Sequence, residues 1–182
     1  MQANRPEDKA LVARARQGDT DAFEALVRMH MGAVYGHALR FFGSREPAED
    51  VVQEVFIKVY RSIGSFDGAS AFSTWLYRVT RNTCLDMLRS GAHRPVPVDP
   101  MEVPAATEGD LADEVVLSTA VEAAMTLLAP EDRDALNAVT LFGLSYREAA
   151  ESIGVPVGTV KSRVFRARRI LIGQLDLERG GS

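Results

Sequence analysis

Apolar residues recur three and four positions apart through most of the chain, the spacing of helices with one buried stripe, and no segment alternates strictly as a half-buried strand does. The predicted fold class is all-α. Leu11 and Ala15 mark a short first helix. After a break at Gly18-Asp19-Thr20, Phe23, Leu26, Val27, Val34, Leu39 and Phe42 predict a long helix ending near Gly43, with Asp19 or Thr20 suited to cap it. Residues 46–63 are the most regular. Ala48, Val51, Val52, Val55, Phe56, Val59, Tyr60 and Ile63 form one stripe, and Glu49, Asp50, Gln53, Glu54, Lys58 and Arg61 lie opposite it. A turn-rich stretch, 64–70, leads to a helix from about residue 71 to 90. Phe72, Trp75, Leu76, Val79, Thr83, Met87 and Leu88 are expected to face inward, and Thr74, Arg78, Arg81 and Arg89 outward.

From 91 to 110 the periodicity stops, and Pro95, Pro97, Pro100 and Pro104 among scattered acids predict a flexible linker. Two small helical domains follow from that break. Beyond it a helix is expected over 111–128, Pro130 suits the first turn of another, and that one stops near Gly143. Ser145-Tyr146-Arg147-Glu148 then has the form of a capping box, opening a short helix that carries Ala149, Ala150 and Ile153. Gly154 ends it, and a second helix begins near Val157 with Val160, Val164, Ala167 and Leu171 inward. Ala150, Gly154 and Val160 stand at the spacing that brings the two helices of a helix-turn-helix into contact.

Charge sharpens this reading. The 182 residues carry a net charge of −4, which argues against a protein that coats nucleic acid through bulk positive charge. The acidity is local: residues 91–130 hold one Lys or Arg against seven Asp or Glu. Lys161, Arg163, Arg166, Arg168 and Arg169 fall within nine positions, and no acid occurs between Glu151 and Asp176. On the second helix Lys161, Ser162, Phe165, Arg166 and Arg169 combine phosphate-binding charge with groups able to meet base edges. That is the composition of a recognition helix.

The run from Gly143 to Arg169, GLSYREAAESIGVPVGTVKSRVFRARR, resembles the C-terminal promoter-binding domain of bacterial RNA polymerase sigma factors of the extracytoplasmic-function group. Two further segments agree in order: AEDVVQEVFIKVY, from Ala48 to Tyr60, resembles the polymerase-binding helix, and FSTWLYRVTRNTCLDMLR, from Phe72 to Arg89, resembles the helix that reads the minus-ten element. The resemblance covers roughly residues 8–90 and 111–175. It implies a region 2 domain over 8–90, a linker over 91–110 and a region 4 domain over 111–177. It also implies polymerase contacts at Asp50, Gln53 and Glu54, and minus-ten contacts at Ser65, Phe66, Arg78, Arg81, Asn82 and Asp86. Minus-thirty-five contacts fall at Thr159, Lys161, Ser162, Phe165, Arg166 and Arg169. The implied partners are core RNA polymerase, promoter DNA and an anti-sigma factor, with no cofactor. Lys161 departs from the arginine of some members, replacing a bidentate fork by a point charge. Ala149-Ala150 departs from the common Ile-Ala pair and removes some core volume.

The single cysteine, Cys84, excludes an intramolecular disulfide and is expected to be a small core residue. His30 and His37, seven apart on one helix, are expected to be satisfied or solvated side chains. The N-terminus has no apolar run of signal type, and no stretch reaches the length of a membrane span, so a cytoplasmic location without membrane insertion is expected. No nucleophile-base set, phosphate-cradling glycine loop or metal cluster is evident, which leaves an enzyme reading with little support. The competing class is a conventional DNA-binding regulator whose N-terminal half senses or dimerises. A regulator would bind its site as a free dimer, whereas a sigma factor binds promoter DNA tightly only with polymerase.

Overall fold

A computed structural model describes residues 6–91 and 124–180, with side chains over 7–91 and 124–174. The linker expected over 91–110, Gly91 apart, and most of the helix expected over 111–128 lie outside the described residues. The described elements are all helical: α1 (Pro6–Ala15), α2 (Thr20–Phe42), α3 (Arg45–Ser62), a 3-10 turn (Ile63–Ser65), α4 (Phe72–Arg89), α5 (Pro130–Thr140), α6 (Tyr146–Ile153) and α7 (Val157–Gly180).

Local chemistry sets the boundaries. Asp19 caps α2 by accepting the Ala22 amide at 3.0 Å, and Arg14 of α1 donates to the same carboxylate at 2.8 Å. The chain leaves α2 through Gly43, whose φ of 80° only glycine adopts without cost, and turns at once into α3. Ala48, Val51, Val55 and Val59 on α3 are at most 1% exposed. Burying each valine contributes roughly 1.5–3 kcal/mol. The opposite side of α3 is thereby left to solvent.

The N-terminal half packs α1 on α2, α2 against α3 and α3 against α4. Phe42, Leu26, Leu76 and Tyr77 are fully buried in it. Cys84 lies in this core at 0% exposure, and burial pushes its thiol up to about 12, so it stays protonated at neutral pH. The C-terminal half packs α7 across α5 and α6, around Leu144, Ala149, Val160, Val164 and Ala167. Arg133 on α5 donates to the Leu128 carbonyl at 3.0 Å and to the Arg40 carbonyl at 2.6 Å, fastening its own half and reaching the other.

The two halves meet along α2 and α4. Here the pattern-based expectation is corrected: Thr74, Arg78 and Arg81 do point away from the core of their own half, but α5 and α6 cover them. Thr74 is only 1% exposed, and the arginine side chains are half-buried. Sequence periodicity reports which face leaves a helix's own core and is silent on what a distant segment lays over it.

Candidate nucleic-acid interface

The helix-turn-helix is built from α6, the turn at Gly154 and α7. Ser145 Oγ accepts the Glu148 amide at 3.2 Å, while the Ser145 amide and hydroxyl donate to Glu148 Oε2 at 2.8 and 2.7 Å. Burial pulls the Glu148 carboxyl upward, yet these bonds and the Thr74 hydroxyl hold it below the usual glutamate range. It therefore caps as an anion. Gly154, at φ 82°, lets its own amide and that of Val155 return to the Ala150 carbonyl at 2.9 and 3.1 Å. Ala150 and Val160, at 4% and 0% exposure, then allow close crossing.

On the outer face of α7, Lys161, Ser162, Phe165 and Arg169 are exposed, Phe165 to 67%, and Thr159 is half-buried. An exposed phenyl ring amid cations costs burial and suits a surface made to meet a partner. Arg166 is placed differently from its neighbours. Its Nε and Nη2 form a fork on the buried Asp132 carboxylate at 2.8 and 2.5 Å, fixing α7 to the first turn of α5. Ser162 Oγ donates to the Thr159 carbonyl at 2.9 Å, and the Thr159 amide donates to the Pro156 carbonyl at 2.9 Å.

In the N-terminal half, Phe66, Phe72 and Trp75 form one aromatic cluster with ring centroids 5.0 to 6.2 Å apart. Phe66 is 9% exposed, with its ring packed in this cluster at the start of the loop over 66–71. Its apolar character was legible; its inward orientation lay outside any helical register. Ser65, Asn82 and Asp86 are exposed, with Asp86 3.4 Å from Arg89. Asp50 and Gln53 on α3 are exposed, and Glu54, half-buried, pairs with Lys58 at 3.6 Å.

The seam between the halves holds groups that sequence reading did not single out. Asp134 accepts from Tyr77 Oη and from Arg81 Nε, each at 2.7 Å. Thr74 Oγ1 donates to Glu148 Oε1 at 3.0 Å, and Arg78 Nε donates to Ser152 Oγ at 3.0 Å. Arg40 Nη1 donates to Asn137 Oδ1 at 3.0 Å. Burial and the neighbouring Asp134 charge push the Tyr77 phenol upward, so it stays a donor. His37 is 1% exposed, neither ring nitrogen has a partner, and Phe41, Tyr77 and Phe142 surround it with centroids 5.7 to 6.4 Å away. This differs from the satisfied or solvated histidine expected. His30 does find a partner, the buried Asp8, at 3.2 Å. Among the described residues no three His, Cys, Asp or Glu side chains gather as a metal site, and no helix is long and apolar enough to cross a membrane.

An intact helix-turn-helix with a basic outer face, following an all-helical half, has the form of a DNA-binding transcription protein. Comparison with known proteins makes the class specific. Residues 26–94 match the Sigma-70 region 2 family and residues 118–171 the Sigma-70 region 4 family. The chain is 41% identical to the ECF RNA polymerase sigma-E factor of Haemophilus influenzae over 181 residues, covering 93% of this chain and 95% of that protein. It is 40% identical to the RNA polymerase sigma-H factor of Pseudomonas aeruginosa, covering 91% and 92%. Among solved structures it is similar to CnrH in complex with the cytosolic domain of CnrY, with TM-score 0.67 and 27% identity over 94% of this chain and 98% of that one. It is also similar to the sigma factor RpoE in complex with the anti-sigma factor NepR from Bartonella quintana, with TM-score 0.66 and 26% identity over 85% and 96%. The chain belongs to the extracytoplasmic-function sigma factors of RNA polymerase, and directs transcription initiation at promoters.

Proposed function

We propose that this sigma factor divides its work as the resemblance implies: residues 8–90 dock on core polymerase and engage the minus-ten element, residues 111–177 read the minus-thirty-five element, and 91–110 joins them. One observation carries this reading. Asp50 and Gln53 stand exposed on a helix whose other side buries Ala48, Val51, Val55, Phe56 and Val59 in the core, in the same chain as a helix-turn-helix opened by a capping box.

Arg78 and Arg81 take strand phosphates, Asn82 and Asp86 present amide and carboxylate groups to an unstacked base, and Ser65 borders the loop that Phe66 supports. On α7, Lys161 and Arg169 take duplex phosphates, while Thr159, Ser162, Phe165 and Arg166 lie toward the major groove. Strand opening needs no hydrolysis, only tighter binding of the opened DNA than of the duplex. The protein is an initiation factor with no catalytic step of its own and no cofactor. It acts in the cytoplasm, and an anti-sigma factor controls it, as the partners of the similar solved structures suggest.

In vitro transcription with purified core polymerase tests the whole reading: promoter-dependent transcripts are expected, and specific binding as a free dimer without polymerase would favour a conventional regulator. Replacing Asp50 by Lys and Gln53 by Ala is expected to weaken co-purification with core polymerase at least tenfold, with the helical circular-dichroism signal retained because both side chains lie outside the core. Equal co-purification would remove α3 from the polymerase contact. Arg166→Ala is expected to lower promoter affinity on the order of tenfold at one base pair of the minus-thirty-five element, as loss of a bidentate contact does. A loss spread evenly over all promoter sequences, measured by competition binding, would confine Arg166 to its tether on Asp132.

A further inference from the structure

Ser162, Phe165, Arg166 and Arg169 stand at i, i+3, i+4 and i+7 on α7, so Arg166 lies in the middle of its outer face. The Arg166 side chain is 57% exposed, yet the carboxylate that it grips, on Asp132 in the first turn of α5, is only 4% exposed. Nε donates to Oδ2 at 2.8 Å and Nη2 to Oδ1 at 2.5 Å. One arginine thus serves both oxygens of a buried carboxylate while the rest of it reaches solvent. A buried carboxylate left without a partner is costly, which holds Arg166 to this fork.

The fork leaves a defined set of donors. A guanidinium carries five N–H groups on one rigid plane. Asp132 takes the Nε–H and one Nη2–H, along the side of that plane. The end of the plane, with both Nη1–H groups and the second Nη2–H, has no partner among the described residues. Two parallel donors on a fixed plane match two adjacent acceptors. In the major groove only guanine offers such a pair, N7 and O6; adenine sets a donor beside its N7, thymine has one acceptor and cytosine a donor. A long exposed side chain ordinarily loses rotamer freedom when it binds. Here that freedom is already given up in the folded chain, so the contact needs less ordering. Lys161 on the same helix has no such plane.

We propose that Asp132, which lies outside the helix-turn-helix, is a specificity-determining positioning residue: it holds Arg166 so that the Nη1–Nη2 end of the guanidinium meets N7 and O6 of a guanine in the minus-thirty-five element. This rests on the proposed placement of α7 in the major groove. Asp132 acts through Arg166 and takes no part in the DNA contact itself. A change at α5 therefore alters which base α7 prefers without removing any group that touches DNA.

The full-length chain bound to core polymerase tests this on two promoters that differ at one base pair, the one at which Arg166→Ala acts. The readout is the ratio of affinities for guanine and for adenine at that position, because partial unfolding weakens both DNAs alike and cancels. The parent is expected to favour guanine about tenfold or more. Asp132→Asn, which puts an amide donor where the fork needs an acceptor, is expected to keep less than about a threefold preference. Asp132→Asn combined with Arg166→Ala is expected to match Arg166→Ala alone. A second measurement needs no variant at Asp132: in the free chain the Arg166 Nε–H, followed by nuclear magnetic resonance, is expected to exchange with water severalfold more slowly than those of the exposed Arg168 and Arg169.

A guanine preference unchanged in Asp132→Asn but abolished by Arg166→Ala would overturn the proposal and leave Arg166 a reader in its own right. An Asp132→Asn loss equal on both DNAs makes Asp132 a structural tether and overturns it as well. So does an Arg166 Nε–H that exchanges as fast as its neighbours. If Arg166→Ala weakens every promoter sequence alike, the placement of Arg166 against a base has itself failed, and the role of Asp132 falls with it.

Discussion

Val160→Asp is expected to unfold the helix-turn-helix while α1 to α4 keep their structure. Val160 is 0% exposed at the crossing of α6 and α7, where Ala149 and Ala150 leave space for one branched side chain and offer no donor from theirs. A carboxylate placed there is either ionised without a partner or protonated and unsatisfied, at a cost of several kcal/mol. That exceeds what the small C-terminal core can absorb, since whole domains are stable by only about 5–15 kcal/mol. Leu26, Val34, Phe42, Val51, Val55 and Leu76 are buried on α2, α3 and α4, which pack chiefly on one another, whereas α7 packs chiefly on α5 and α6. Hydrogen exchange should therefore accelerate throughout α5 to α7 and remain slow in the centres of α2 and α3. Protection lost equally in both halves would show one cooperative unit. Minus-thirty-five recognition is expected to vanish with the fold.

The second large effect is acid sensitivity centred on His37. Burial lowers its pKa from 6.5 to about 4, the Asp134 charge opposes that shift, and Arg40 and Arg81 reinforce it. Tyr77, also beside the ring, is a neutral donor at these pH values. The folded state favours neutral imidazole, so its stabilising contribution is complete above about pH 6.5 and is lost as pH falls toward 4. Between pH 7.5 and 5 the loss is about 2 kcal/mol by linkage. Urea denaturation at the two pH values should show it, and His37→Leu should flatten the dependence and stabilise the protein at pH 5, because the site offers the ring nitrogens no partner. A slope unchanged in His37→Leu would assign the acid sensitivity to other groups.

Much of this architecture was legible because helical periodicity, caps and glycine turns are local. The stripe of α3, the Asp19 cap, the exit at Gly43, the Ser145–Glu148 box and the turn at Gly154 each follow from residues within one or two turns of one another. The seam was not legible. Asp134 lies 53 residues from Arg81, and Glu148 and Ser152 each lie 74 from their partners, so no periodicity links them. His37 misled for the same reason: its neighbours on α2 say that it can point inward, but Phe142, far along the chain, completes its enclosure. Arg166 shows the opposite error, for its place on a basic face was correct while its fork on Asp132 depends on how α7 crosses α5.

The Asp134 carboxylate, shared between Tyr77 and Arg81, also makes the two halves a matched set and not freely interchangeable modules. A chimaera that imports a foreign C-terminal half lacking an acid at position 134 changes more than the upstream element it reads. It also leaves the Tyr77 hydroxyl and the Arg81 guanidinium without their common acceptor at the seam, so the new half must satisfy both or the junction loses stability.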